Sequence, residues 1–187
     1  MSSTLTNIRN LSLDELKTSF TEFGEKPFRA KQVWEWLWQK NAHTFDQMSN
    51  LSLAFRAWLD AHYYIDYITL QDQQISKDRT IKSAFTIDDG KVIEGVLIPT
   101  STRMTACISS QIGCSLSCQF CATGRLKLMR NLSAGEIVDQ VVYLQEQAQQ
   151  NYTQNLSNIV YMGMGEPLLN YKNVLLSIDR LCSPDGL

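Results

Sequence analysis

The chain has 187 residues, of which 44% are apolar and 19% charged, the balance of one ordinary globular domain or two small ones and not of a fibrous or disordered chain. Lys and Arg number 17 against 19 Asp and Glu; the formal charge of -2 excludes a global basic footprint, so any contact with nucleic acid must rest on local patches. The start carries no signal-peptide pattern and no stretch is apolar for long enough to cross a bilayer, which leads us to expect a cytoplasmic protein. In that compartment five cysteines, an odd number, argue for metal or redox use over a disulfide framework.

In chain order, Ser12-Leu13-Asp14-Glu15 is a capping box that predicts a helix to about Thr21, stopped by Gly24. Residues 28–38 predict a second helix with Val33, Trp34, Trp36, Leu37 and Trp38 on a broad apolar face. A third, from about Ser52 to Tyr64, carries Leu53, Phe55, Trp58 and Leu59. A unit this small needs every large apolar side chain for its core, so the tryptophans of the middle helix read as core and not as a ligand platform. Strand-like alternation takes over at 67–70, 80–87 and 92–99, with Asp88-Asp89-Gly90 as a hairpin turn. Then follow a short strand at 104–109, a helix from a second capping box at Ser133 and Glu136 to about Gln149, a strand at 158–162, a glycine-rich loop at 163–167 and a helix at 171–181.

Strand, loop and helix repeated twice is the opening of an α/β parallel-sheet domain, and two such units neither close a barrel nor finish an open sheet. The fold class is therefore α/β, with a small helical domain at 1–65, a short β hairpin extension at 66–102, and the first βα units of a partial barrel at 103–187, which the chain leaves truncated.

Cys114, Cys118 and Cys121 stand as C-x-x-x-C-x-x-C, with Phe120 just before the last. Soft thiolates select zinc or iron–sulfur clusters. A structural zinc site wants a fourth Cys or His nearby, and His43 and His62 belong to the helical unit. Three ligands in one loop suggest a cubane cluster with one iron left open to a substrate or cofactor; a zinc knuckle is the alternative. Arg125, Lys127 and Arg130 follow the loop, and Lys26, Arg29, Lys31 and Lys40 surround the aromatic helix, each set either a solvated face or a local nucleic-acid contact. Read singly, the loop at 163–167 is a glycine-rich turn and Cys107 a packed small hydrophobe. Glu94, alternating with Ile93 and Gly95, is a carboxylate on the wet face of a hairpin.

Taken together, the cysteine loop, Gly163-Met164-Gly165-Glu166-Pro167 and Gly24-Glu25-Lys26-Pro27-Phe28-Arg29-Ala30-Lys31-Gln32 resemble the RlmN family of dual-specificity RNA methyltransferases, which are radical S-adenosylmethionine (SAM) enzymes. The likeness runs from the first helix to Leu187. It implies a helical accessory domain that binds RNA, a β extension and a partial radical SAM barrel. The implied activity is methylation of carbon 2 of an adenosine in 23S rRNA and of one next to the anticodon in certain tRNAs. By the same resemblance Cys114, Cys118 and Cys121 ligate a 4Fe–4S cluster, Phe120 packs near the SAM adenine, and Gly165 and Glu166 receive the SAM amino group. Glu94 is then the proton acceptor, and Cys107 the partner of a methyl-carrying cysteine, with which it forms a transient disulfide that frees the product. That second cysteine falls beyond Leu187, so the 187-residue chain alone is expected to be unable to methylate RNA. The resemblance further implies a monomer served by an electron donor such as flavodoxin or ferredoxin. Two alternatives stand beside it: a Cfr-like carbon-8 methyltransferase, and a non-catalytic RNA-binding module with a structural metal.

Overall fold

A computed structural model describes residues 5–183. The chain divides into two compact units: one of residues up to Asp66 with the chain from Ile178 onward, the other Tyr67–Ser177.

The first unit opens with a two-residue strand β1 (Thr6–Asn7) and holds α1 (Leu13–Phe23), α2 (Phe28–Trp38) and α3 (Leu53–His62); β2 (Tyr63–Tyr64) pairs in parallel with β1. In α1 the capping box is complete, and Gly24, at φ 97, ends the helix by donating its N–H to the carbonyls of Phe20 and Thr21. The helix passes Thr21 by two residues because its stop is the left-handed glycine. Leu16, Phe20, Val33, Leu37, Phe55 and Leu59 form the core, and Trp34 and Trp38 join it. Trp36 departs from the expected core role: it is only partly buried, its Nε1 donates to Asn50 Oδ1 at 2.7 Å, and the Lys40 ammonium lies 3.9 Å from its ring centre.

The second unit is built on one five-stranded sheet. Its strands are β3 (Thr69–Ile75), β4 (Ile81–Thr86), β5 (Val92–Pro99), β6 (Met104–Cys107) and, after two further short strands, β9 (Asn158–Val160), in the order β3-β4-β5-β6-β9. The sheet is mixed, not all parallel. β5 and β6 run antiparallel because the chain between them reverses in a tight turn, Thr100 N–H donating to the Arg103 carbonyl at 2.8 Å, too short for a crossover. β6 and β9 are parallel, with α4 (Ala134–Tyr152) as the crossover. Hairpin extension and barrel strands thus share one sheet. β3 extends past Leu70 through Gln71, Asp72, Gln73 and Gln74, an edge stretch whose polar side chains give no apolar alternation to read.

α4 buries Ile137, Val141, Leu144 and Ala148, and Leu144 meets Gly95 of β5 while Tyr143 sets its ring against Phe85 of β4. Ile81, Phe85, Ile93, Leu97, Met104 and Ala106 form the buried face of the sheet. The opposite face of the same strands carries Lys82, Glu94, Val96 and Cys107, none fully buried. The last helix, α5 (Tyr171–Cys182), follows β9. Among the described residues no helix is long and apolar enough to cross a membrane.

The short strands are β7 (Gln111–Ile112) and β8 (Arg130–Asn131), paired antiparallel. Arg130 grips the Glu136 carboxylate with two nitrogens at 2.8 and 2.6 Å and reaches Asp89 in the hairpin turn at 2.9 Å. Glu136 in turn closes the capping box of α4. Of the basic residues after the cysteines, Arg130 is therefore committed to structure, while Arg125 and Lys127 stay exposed. Burial pushes the Asp89 carboxyl up, but hydrogen bonds from Lys91 and Arg130 outweigh it and hold the group at about 2. A depressed carboxylate adds stability that is present above its unfolded value near 3.9 and lost as pH falls through the folded one. Asp89 lies at the surface, so the loss is expected to stay below about 1 kcal/mol. Unfolding measured from pH 5 to 2 should show it, and Asp89→Asn should flatten that part of the profile.

Candidate active site

Alternation along β6 buries Met104 and Ala106 and leaves Thr105 and Cys107 on the opposite face. Cys107 pairs with Val96, and Glu94 stands two residues from Val96 on the same strand. Glu94 and Cys107 therefore share one sheet face as diagonal neighbours on adjacent strands, within reach of a common ligand. Lys82 Nζ approaches Glu94 Oε1 at 2.6 Å, and both side chains are about half exposed. Burial pushes the Cys107 thiol up, partly offset by a hydrogen bond from the Met162 backbone. All five cysteines are free.

Beyond Cys107 the chain leaves the strand through Ile108, Ser109, Ser110 and Gln111, all buried. Gln140 of α4 holds this strip, accepting from Ser109 N at 2.8 Å and donating to Ser109 O at 3.1 Å. Asn170 donates to Ser110 O at 2.7 Å and to Leu132 O at 2.8 Å. The strip then enters β7, which with β8 forms the neck of the cysteine loop. Gly113, at φ +73, is needed there: a Cβ on it would lie 2.1 Å from the Lys127 carbonyl oxygen. Cys114 N–H donates to Leu126 O across the neck at 3.3 Å. Inside the loop, Cys121 N–H donates to Cys118 O at 3.1 Å, and Leu116 N–H points to Cys114 Sγ at 3.4 Å. Cys114 and Cys121 are partly buried and Cys118 exposed. Phe120 is 94% exposed, so it is not packing for the loop.

Among the described residues no three His, Cys, Asp or Glu side chains stand as a metal cage, so the three thiols are not drawn around one point here. The donor set itself fits a cluster: three uncommitted thiols on one loop held shut at its base, with a backbone amide already directed at one sulfur.

The second loop lies against the buried strip. Gly163 N–H donates to Ile108 O at 3.0 Å, and the Met164 carbonyl accepts from Ser110 N at 2.9 Å and Gln111 N at 3.1 Å. Gly165 has φ +92, and a Cβ there would lie 2.4 Å from Gln111 Cβ. Glu166 N–H donates to Gln111 Oε1 at 2.9 Å, and Leu168 N–H to Glu166 Oε1 at 3.1 Å. The close backbone approach that glycine permits is thus used against Gln111. Ser109, Gln111, Gln140 and Asn170 escaped the sequence reading. The signal for the first two was three polar residues in line, Ser109-Ser110-Gln111, where an apolar strand runs into the cysteine loop.

Residues 6–65 match the family model described as the ribosomal RNA large subunit methyltransferase N-terminal domain. A probable dual-specificity RNA methyltransferase RlmN of Cytophaga hutchinsonii is 54% identical over 180 residues, 96% of this chain and 49% of that protein. The dual-specificity RNA methyltransferase RlmN of Solidesulfovibrio magneticus is 42% identical over 184 residues, covering 98% of this chain and 52% of that protein. The crystal structure of a radical SAM methyltransferase from Sphaerobacter thermophilus matches with a TM-score of 0.82 and 37% identity, over 97% of this chain and 53% of that one. The chain spans about half the length of the curated relatives it matches. Residues 6–65 thus carry the N-terminal domain of the RlmN family, and along nearly all of its own length the chain is similar to RlmN methyltransferases and to a radical SAM methyltransferase of known structure.

Proposed function

We propose that this chain supplies the cofactor-binding part of a radical SAM enzyme that methylates carbon 2 of adenosine in 23S rRNA and in tRNA next to the anticodon. The observation that carries the reading is the meeting of three features at one end of the sheet: the free-thiol loop after β7, the glycine loop after β9, and the face shared by Glu94 and Cys107. Cys114, Cys118 and Cys121 would hold a 4Fe–4S cluster, with Gly165 and Glu166 at the SAM amino group and Phe120 near its adenine. When bound, cluster and SAM together supply one-electron cleavage of a carbon–sulfur bond.

Glu94 Oε1, kept beside the Lys82 ammonium, is the site that takes the proton leaving the adenine carbon; an ionised carboxylate is the form that can accept it. Cys107, whose ionisation burial makes harder still, becomes a nucleophile once its proton is removed, and in this reading it is the partner of a methyl-carrying cysteine. The target adenine must leave its stack to reach this face. Residues 1–65 form the accessory domain that contacts RNA in this reading, 66–102 the extension and 103–187 the radical SAM core. The working enzyme is a cytoplasmic monomer reduced by a flavodoxin or ferredoxin.

Two measurements test the proposal. Anaerobic reconstitution should give a brown protein with ~4 irons and absorbance at about 400 nm, and SAM should change the electron paramagnetic resonance spectrum of the reduced cluster. A colourless chain with one zinc refutes it. Mass analysis of RNA from cells whose sole carbon-2 methyltransferase carries this segment should locate the methyl on carbon 2; carbon 8 would make it a Cfr-like enzyme.

A further inference from the structure

We infer that Gln111, seconded by Ser109, is a positioning residue that fixes the glycine loop relative to the cysteine loop and so sets how SAM meets the cluster. This rests on the proposed cofactor reading and adds residues outside the ligand set. Gln111 is fully buried, and both ends of its amide are used. Its Oε1 accepts from Glu166 N at 2.9 Å, and its Nε2 donates to Asn131 Oδ1 of β8 at 2.7 Å. Its backbone N–H donates to Met164 O at 3.1 Å, and its Cβ and Cγ fill the space where Gly165 lacks a side chain. One side chain therefore touches the neck of the cysteine loop on one side and both Gly165 and Glu166 on the other.

Ser109 makes a parallel connection. Its hydroxyl donates to Glu94 O at 2.6 Å and accepts from Met164 N at 2.8 Å, joining the strand of the carboxylate to the glycine loop. Ser109 and Gln111 alternate with Ser110, whose buried hydroxyl has no hydrogen-bond partner among the described residues. A buried hydrogen-bonded network holds its members in one arrangement, because each displaced member would strand a polar group out of water. If the glycine loop carries the SAM amino group, its position is inherited from Gln111 and not from the loop's own few residues.

The test compares Gln111→Leu and Gln111→Glu with wild type in the reconstituted holoprotein. Leu keeps the bulk and leaves the Glu166 amide without an acceptor. Glu keeps an acceptor there and, protonated by its burial, a donor to Asn131 Oδ1, whose own amide stays on the Leu169 carbonyl. Gln111→Leu is expected to retain the wild-type iron content while weakening SAM binding roughly tenfold, the scale of a buried amide left unpaired. Gln111→Glu should stay within roughly threefold of wild type. A second readout needs no SAM: hydrogen exchange at the Met164 and Glu166 amides should slow on cluster loading in wild type and not in Gln111→Leu. Equal SAM affinity and equal exchange in all three proteins would overturn the inference. So would loss of iron in step with SAM affinity in both variants, which marks a packing role. A wild-type protein that takes up no cluster refutes the proposed function itself and is recognised before any variant is compared.

Discussion

Replacing any one of Cys114, Cys118 and Cys121 by alanine is expected to lower the iron retained after anaerobic reconstitution from ~4 atoms per chain to well under half, with loss of the absorbance at about 400 nm. Cys182→Ala should leave both unchanged. The contrast follows from position. Three thiols lie on one loop closed at its neck by the Cys114 to Leu126 hydrogen bond, with no fourth sulfur in it. A cubane held by three protein ligands already has one iron without a protein ligand, and removing a second attachment leaves too few to retain it. A zinc knuckle recruiting Cys182 would respond oppositely, losing its metal in that variant as well. Iron and zinc measured together on the four variants separate the two.

The second large effect is expected at Gly165. In Gly165→Ala the new methyl would stand 2.4 Å from Gln111 Cβ and 2.9 Å from Gln111 N, on a residue whose φ is +92. Overpacking a filled site costs about 1–3 kcal/mol and a left-handed non-glycine residue about 1–2 kcal/mol. We therefore expect about 2–5 kcal/mol of destabilisation, a fall in Tm on the order of 10 °C for a chain of this size. Gly90→Ala isolates the backbone part: Gly90 has φ +75 with nothing within 4 Å of its would-be Cβ, so only the strain remains, at about 1–2 kcal/mol. Thermal unfolding of the two variants side by side measures the difference, which is the share due to contact with Gln111.

Much of the fold was legible because its signals are local. The Ser12 and Ser133 capping boxes, Gly24 as a stop and the turn at Asp88 to Gly90 each act within a few residues, and each is present. What escaped depends on partners far along the chain. Strands of two residues, such as β7 and β8, carry no periodicity, so the ribbon that shuts the cysteine loop was invisible. The antiparallel entry of β6 follows from the shortness of a turn, which composition does not announce. Candidate site residues were found by chemistry, as thiols, glycines and carboxylates in suggestive company. That Glu94 and Cys107 share a face is a matter of register, set by the pairing of Val96 with Cys107. Gln111 was missed because a lone glutamine has no distinctive chemistry, and its importance comes from being buried between two loops that converge on it.

The ribbon at the base of the cysteine loop also bears on the order of events when the protein matures. In zinc fingers the metal drives folding, because the free chain has no preformed site. Here Gly113, the β7 and β8 pairing and the Cys114 to Leu126 bond hold the two ends of the loop together through the protein's own backbone. Much of the entropy of closing the loop is therefore already spent in the folded chain. In the proposed enzyme iron would reach a loop already closed at its base, with Cys118 the most exposed of its three thiols.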